Sequence, residues 1–539
     1  MNKKLFAFLT ALPALIVLSV FKTAPAIQAI IISFKYYNIA EGVFGSKSAG
    51  LANYIALFQN KLFSDTLVNT IVISLLSIIF TCVFAVLLIL SISRLPSWIL
   101  KTTAIVLIAV PAFIPAVSFA SVFMDMFSIE GVINSILTPA GAEPRLFFAE
   151  QGYYPFLAAM MEAIRNVYIP VIIGVLVCES RGRKSGAGRI CLVILGYIAA
   201  RAVMLLSPDI ESMILTSNPL TRGASEVIDT FIYRTGLQTL EMSLASASWV
   251  VKSFLQLVIS TVAVFVLYFI MPYIVEFTGN LGEGSRTVRG SIGGIIGFII
   301  FGSISVFMMI KTFIPAGGEL GAGIRALLND EQFVAALSNS LIFGVIGCLV
   351  YVVLVLFLAY PLMYSKFLYP LFLVILTSLS NSFTNEYLLY RQLNLINTIY
   401  PIIIGASFSA IGAFALHFSV SCRLKGASCG FGQYLRFALK PLVVIAVLAF
   451  ITNWGGFFNQ LIFITDTTLH GAGIYGYQML LSQGRISMDT VAGMQVSAAD
   501  IHFALVFILS VVPAALGALL IFLNKFLPLT AFSAHMRKG

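Results

Sequence analysis

Residues 66–93 read TLVNTIVISLLSIIFTCVFAVLLILSIS, twenty-eight positions without one Asp, Glu, Lys or Arg. About 20 apolar residues cross the hydrocarbon core of a bilayer as a helix, so this run spans with length to spare. Working outward, similar charge-free windows lie at 102–124, 253–275, 290–310, 332–365, 367–385, 392–422, 441–465 and 501–524. Three further apolar stretches are interrupted by charge. They cover roughly 5–34 with Lys22, 154–178 with Glu162 and Arg165, and 190–208 with Arg201. Lipid offers no partner to an open backbone, which leaves helices as the economical reading. The expectation is an all-α polytopic membrane protein of about twelve transmembrane helices.

Composition agrees. Of 539 residues, 59% are hydrophobic and 10% charged, against about one quarter charged in an average globular domain. That excludes a soluble enzyme, a disordered hub and a secreted disulfide scaffold. Six cysteines include no Cys-x-x-Cys pair, so neither a disulfide framework nor a zinc site is expected. The first apolar stretch continues to Phe34, beyond the length of a cleaved signal, and is read as a first membrane helix. The net charge of +10 is read as basic loop charge on the cytoplasmic side, not as nucleic-acid binding. With the N-terminus inside, Lys3, Lys4, Arg94, Lys101, Arg286, Arg289, Lys366, Lys440, Lys525, Arg537 and Lys538 fall on that side with the loops discussed below. Only Glu179, Glu276 and Glu283 join them. Both termini are then cytoplasmic, in a multi-pass membrane protein.

A glycine-rich stretch, 276–289, divides the chain into two six-helix units, 1–275 and 290–539. Six spans return each unit to the same side, so the halves are parallel, related by an axis along the membrane normal. Their openings are alike. Asn53–Phe58 and Phe63–Thr70 precede one long apolar run; Leu327–Phe333 and Ala336–Ser340 precede the other.

Several short patterns resemble type I permeases of bacterial ABC sugar importers. Pro25 with Ser33-Phe34, Leu51-x-Asn53-Tyr54 and Asn69-Thr70 are similar to the opening of such a permease. Asn218-Pro219-Leu220 and Val227-Ile-Asp-Thr-Phe-Ile-Tyr-Arg-Thr-Gly-Leu237 resemble the external loop before the last helix in oligosaccharide and polysaccharide permeases. Asn453-Trp454-x-x-Phe457-Phe458-Asn459-x-Leu461-Ile462, followed by Tyr475-x-Tyr-Gln-x-Leu480, looks like the end of the fifth helix in the partner class. The resemblance covers nearly the whole chain and implies both permease subunits of one importer, fused. It further implies a cytoplasmic ABC ATPase dimer, an extracellular solute-binding protein and a sugar substrate as partners, beside membrane lipid and without nucleic acid. ATP would be bound only by the separate ATPase, and this chain would hold no cofactor or metal.

The coupling loops depart from the family pattern. Family members dock a Glu-Ala-Ala helix into the ATPase, whereas the first-half loop here is only Glu179–Arg189, with Arg181, Arg183, Lys184 and Arg189. The second half keeps Arg423, Lys425, Gly426 and, further on, Arg436. These short basic loops are the coupling candidates. Their trimming also motivates an alternative, a degenerate permease-fold channel, carrier or sensor that no ATPase drives. An unrelated twelve-helix secondary transporter would need a midplane acid; Glu162 is the only candidate and sits too far outward, which disfavours that reading.

Charges inside a membrane are the default functional candidates. Arg201 lies about 18 Å into the bilayer at 1.5 Å per residue from Arg189; it either faces a pathway or pairs with an acid such as Glu162. Glu162 and Arg165 share a helix face, and a local ion pair between them is expected. Lys22 and Lys252 are close enough to helix ends to snorkel, and His417 and His502 are read as packed. Sugars need flat aromatic faces and directional amides. Asn453, Trp454, Phe457, Asn459 and Gln460 supply that mix, or form an interfacial aromatic belt. Tyr233 and Arg234 lie in the external loop expected to face a binding protein. No phosphate-cradling Gly-rich loop, His-Glu-x-x-His motif or nucleophilic triad is present, so no enzyme is expected.

Overall fold

A computed structural model describes residues 3–141, 143–179, 186–279, 292–314, 320–365, 368–379, 382–406, 410–424, 428–481 and 497–526. Among them, seven helices are long and apolar enough to cross a membrane, and two bent pairs raise this to nine. The other three expected spans have no such helix among the described residues; their stretches hold shorter ones. These are Gly186–Ala202, then Leu368–Ser378 with Phe383–Gln392, and Tyr400–Ala406 with Ala410–Arg423. The protein is an all-α polytopic membrane protein; among the described residues one strand pair, Lys35–Tyr36 with Lys47–Ser48, sits in a loop. Met242–Gly279 is helical throughout, so this helix runs into the first residues of the expected 276–289 linker. Residues 280–291 lie outside the described residues.

The Lys61–Ile92 helix shows how membrane helices pack here. Asn60 caps it by accepting from Leu62 N at 3.0 Å. Thr66, Thr70, Ile73, Ser77, Thr81, Ala85 and Leu88 form its buried stripe. Val68, Leu75, Ile79 and Val83 are exposed, as a lipid face requires. Small and hydroxylated residues let helices approach closely where lipid supplies no hydrophobic drive. The hydroxyls turn onto their own helix: Thr66 donates to Leu62 O and Thr81 to Ser77 O, both at 2.7 Å.

Helix breaks follow proline. Trp98–Phe113 and Ala116–Met126 meet at 102°, with Ile114 extended (ψ 132°) just before Pro115. Tyr154–Asn166 and Tyr168–Cys178 bend by 45° where Pro170 cannot donate to the preceding turn. A π-turn, Ser19–Thr23, just ahead of Pro25 joins Lys3–Leu18 to Ala24–Ser33 and turns Lys22 inward.

Each half lends its first helix to the other. Ala7, Ala14 and Leu18 sit in one core with Leu354, Val355, Leu358 and Tyr360. Reciprocally, Phe298 and Phe301 of Ile292–Phe313 pack on Ala85, Leu88 and Ile89, while Met308 joins Ile73 and Phe119. A third core mixes Ala26, Leu57, Phe63 and Trp249 with Phe383, Tyr390, Phe458 and Phe463.

Candidate functional site

The same clasp occurs twice, 270 residues apart: Leu57 and Leu327, Asn60 and Asp330, Phe63 and Phe333, Asn69 and Asn339, Thr70 and Ser340. Asp330 repeats the Asn60 cap, accepting from Gln332 N at 2.9 Å. Leu57, Phe63, Leu327 and Phe333 are all fully buried. The Asn69 amide donates to the carbonyls of Gly223 (2.8 Å) and Glu226 (3.2 Å), and that of Asn339 to Thr468 and His470 (both 2.9 Å). Thr70 Oγ1 then accepts from Ile228 N at 2.9 Å, and Ser340 Oγ from Ala472 N at 2.8 Å. Ile228 and Ala472 each open the helix that follows the loop. In the second loop, Thr468 donates its backbone N–H and hydroxyl to Asp466 (2.9 and 2.8 Å), holding that carboxyl below the usual carboxylate range.

Between the clasps, the helical run of the first half is interrupted. The Gly186–Ala202 helix ends there, and Ile210–Thr216 resumes after Pro208. Irregular backbone survives within a membrane only when protein satisfies it. Gln256 supplies the bonds. Its amide donates to Val203 O (2.6 Å) and Ala202 O (3.2 Å), and its carbonyl accepts from Leu206 N (2.8 Å). A small polar cavity beside it is lined by Ser207, Lys252, Ser253, Gln256, Thr377 and Ser378, so both halves contribute.

The buried charges gather around this break, and their pairing differs from the sequence expectation. Arg201 bonds Glu162. Arg165 turns away from Glu162 and pairs with Asp209 at 2.5 Å, also touching Ser212 (3.4 Å), Ile114 O (3.3 Å) and the Phe119 ring (5.5 Å). The i, i+3 spacing was therefore a correct face assignment but a wrong partner, because the 203–209 loop brings a closer acid. Lys22 and Lys252 do not snorkel. Lys22 is buried against Glu386 at 2.9 Å and Lys252 against Asp229 at 2.5 Å. At the outer loop, Arg222 and Arg234 share Glu226, while Tyr233 packs edge-on against Phe458.

Glu211 was not singled out in the sequence, where it stands in what reads as external loop. Its Oε1 accepts from the backbone N–H of Phe457 (2.7 Å) and Phe458 (2.9 Å), in the opposite half. Those donors are free because Phe431–Gly455 stops at Gly455-Gly456 before Phe458–Phe463 begins. The only sequence signal was an acid just after Pro208 at the end of an apolar run. His502 also crosses the seam, 2.7 Å from Ser121 Oγ.

The second-half aromatic set does not offer open stacking faces. Trp454 is buried, stacks obliquely on Phe450, and donates its indole N–H to Leu509 O at 3.0 Å. Phe457 is fully buried and stacks on Tyr477 at 4.6 Å. Asn453 is buried against Gly347, Asn459 is half-buried beside Gly405, and Gln460 accepts from Gly471 N at 2.6 Å.

Of the coupling candidates, Arg189 is buried and donates to Val177 O at 3.1 Å, tying two successive helices together. It belongs to a helix that begins at Gly186, so it is not a free loop charge. Arg423 does the same in the second half, donating to Phe437 O at 3.3 Å. Arg436 is exposed. Arg181, Arg183, Lys184, Lys425 and Gly426 lie outside the described residues. Among the described residues no group of His, Cys, Asp and Glu could hold a metal ion.

No family model matches the chain. It is similar to the polygalacturonan/rhamnogalacturonan transport system permease protein YteP of Bacillus subtilis strain 168, 26% identical over 277 residues, which covers 48% of this chain and 86% of that protein. Protein LplB of the same organism is 23% identical over 270 residues, 46% of this chain and 83% of that protein. Among solved structures, a bacterial ABC transporter involved in import of the acidic polysaccharide alginate is 22% identical, with a TM-score of 0.41 over 50% of this chain and 95% of that one. The same kind of transporter with a pentasaccharide-bound periplasmic protein gives 21% and 0.41 over 53% and 96%. Most of one such permease thus maps onto about half of this chain.

Proposed function

We propose that this chain is the transmembrane unit of an ATP-driven carbohydrate importer, with one permease half in 1–275 and the other in 290–539. The similarity of half the chain to most of a carbohydrate-transport permease carries the reading. The duplicated clasp supports two equivalent units, and the crossed first helices lock them into one body. The seam between them, with Glu162, Arg165, Arg201, Asp209 and Glu211 at its centre, is then the route for sugar. A solute-binding protein would deliver an oligosaccharide to the external loops at 218–237 and 464–471. Both termini would be cytoplasmic, and a separate ATPase dimer would bind all the ATP.

Arg189 and Arg423 spend their guanidiniums on bracing their own helices. Docking on the ATPase therefore falls to the other basic residues of the two loops. Surface ion pairs are worth under about 1 kcal/mol each, so the complex should loosen as salt rises. The test is affinity purification from native membranes at low and at molar salt. Recovery of an ATPase and a solute-binding protein at low salt, with ATPase loss at high salt, is expected. Absence of both at low salt, with uptake indifferent to ATP depletion, would overturn the reading.

A further inference from the structure

We propose that the seam selects uncharged oligosaccharides and excludes uronates, because the protein's own carboxylates already occupy the cations there. The inference rests on the permease reading and narrows its substrate class. Besides the Lys252–Asp229 pair at the cavity, five charged side chains stand around the unwound segment. Two are guanidiniums, Arg165 and Arg201, and each has a carboxylate of its own, Asp209 and Glu162. The third carboxylate, Glu211, is held by backbone N–H groups of the other half instead of a cation. With all five ionised, the cluster carries an excess negative charge. The nearby ammonium groups of Lys22 and Lys252 are likewise bound to Glu386 and Asp229. Facing them, Phe431–Phe463 offers amides and rings, and its only cations, Arg436 and Lys440, stand near the start of that helix.

A sugar carboxylate arriving here meets like charge in a medium of low dielectric. To reach Arg165 or Arg201 it must evict Asp209 or Glu162 and leave that acid buried and unpaired, the costly way to break such a pair. A hydroxyl faces no such exchange, since it both donates and accepts. The Nε atoms of Arg165 and Arg201 are buried and have no hydrogen-bond partner among the described residues, while their terminal nitrogens hold the carboxylates. Arg222 and Arg234 do not alter this, because they converge on Glu226 in the outer loop. The seam therefore differs in charge from what a polyuronate route needs.

The test gives cells carrying the transporter a digest that contains neutral and uronate oligosaccharides of equal length. Mass spectrometry then identifies those internalised in a manner dependent on this chain. Wild type is expected to favour neutral oligomers at least tenfold. Glu162→Gln, which frees Arg201, and Glu211→Gln, which deletes a charge but keeps an acceptor for the backbone N–H groups, should each narrow that preference several-fold. Two variants guard against misfolding of either. Entry of uronates as readily as neutral oligomers in wild type would overturn the proposal. So would an unchanged preference in both variants while they still transport, since the selection would then belong to the binding protein. Entry of neither class would instead overturn the carbohydrate-permease reading beneath it.

Discussion

The two halves share their outer scaffold and differ in their interior. At 57–70 and 327–340 the same residue types, at the same spacing, make the same bonds to the loop beyond. In the interior the resemblance stops. The first half places Glu162, Arg165, Arg201, Asp209 and Glu211 around an unwound segment, whereas the second presents Asn453, Gln460 and packed rings around a glycine break. Bonds that set helix position are duplicated; the buried polar groups of the interior are not. The polar work is thus assigned to one half, and the other supplies backbone N–H groups and shape.

The largest expected effect comes from the ion pairs that cross or flank the seam. Lys22→Met leaves Glu386 buried without its cation and should cost about 3–5 kcal/mol, read as a lowered thermal midpoint of the purified protein. Lys22→Met with Glu386→Leu should recover most of it. A single variant that melts like wild type would detach the first helix from the second half.

A smaller effect separates the interiors. Arg201→Leu should lower uptake at least tenfold with little loss of membrane insertion, because Glu162 loses its partner and the seam its donor. Asn453→Ala, on the plainer side, should lower uptake less. Equal losses would erase the asymmetry between the halves, and wild-type uptake by Arg201→Leu would reduce Arg201 to a structural role.

The smallest effect sharpens the likeness. Asn69→Ala and Asn339→Ala each remove two side-chain bonds to backbone carbonyls, at about 1 kcal/mol per bond. Both should lower the thermal midpoint by similar amounts. A shift in one alone would make the repeated clasp a coincidence of sequence.

Much of the architecture is legible in the sequence because lipid imposes long charge-free runs, and 66–93 is unmistakable on that ground. The similar openings of the halves are also visible, since Asn69-Thr70 and Asn339-Ser340 precede comparable runs. What the one-dimensional pattern hides is where a span stops being helical. The stretch at 190–208 reads as one apolar segment, yet it unwinds after Ala202 because Gln256, on another helix, can satisfy the freed backbone. That unwinding brings Asp209 to Arg165 and Glu211 to Phe457, pairings that no helical spacing rule contains. Lys22 looks able to snorkel because its acid lies 364 residues away. Trp454 and Phe457 are the right residues for stacking sugars, but tertiary packing has covered their faces.

Uptake by proteoliposomes that hold this chain with its co-purifying ATPase, supplied with the solute-binding protein and labelled oligosaccharide, bears on all of this at once. Accumulation should require ATP inside the ATPase-accessible compartment, stop when the ATPase is inactivated, and fall sharply with Arg201→Leu. Sugar movement that proceeds without ATP, or no movement from a fully assembled complex, would contradict a two-half permease that carries sugar through its seam.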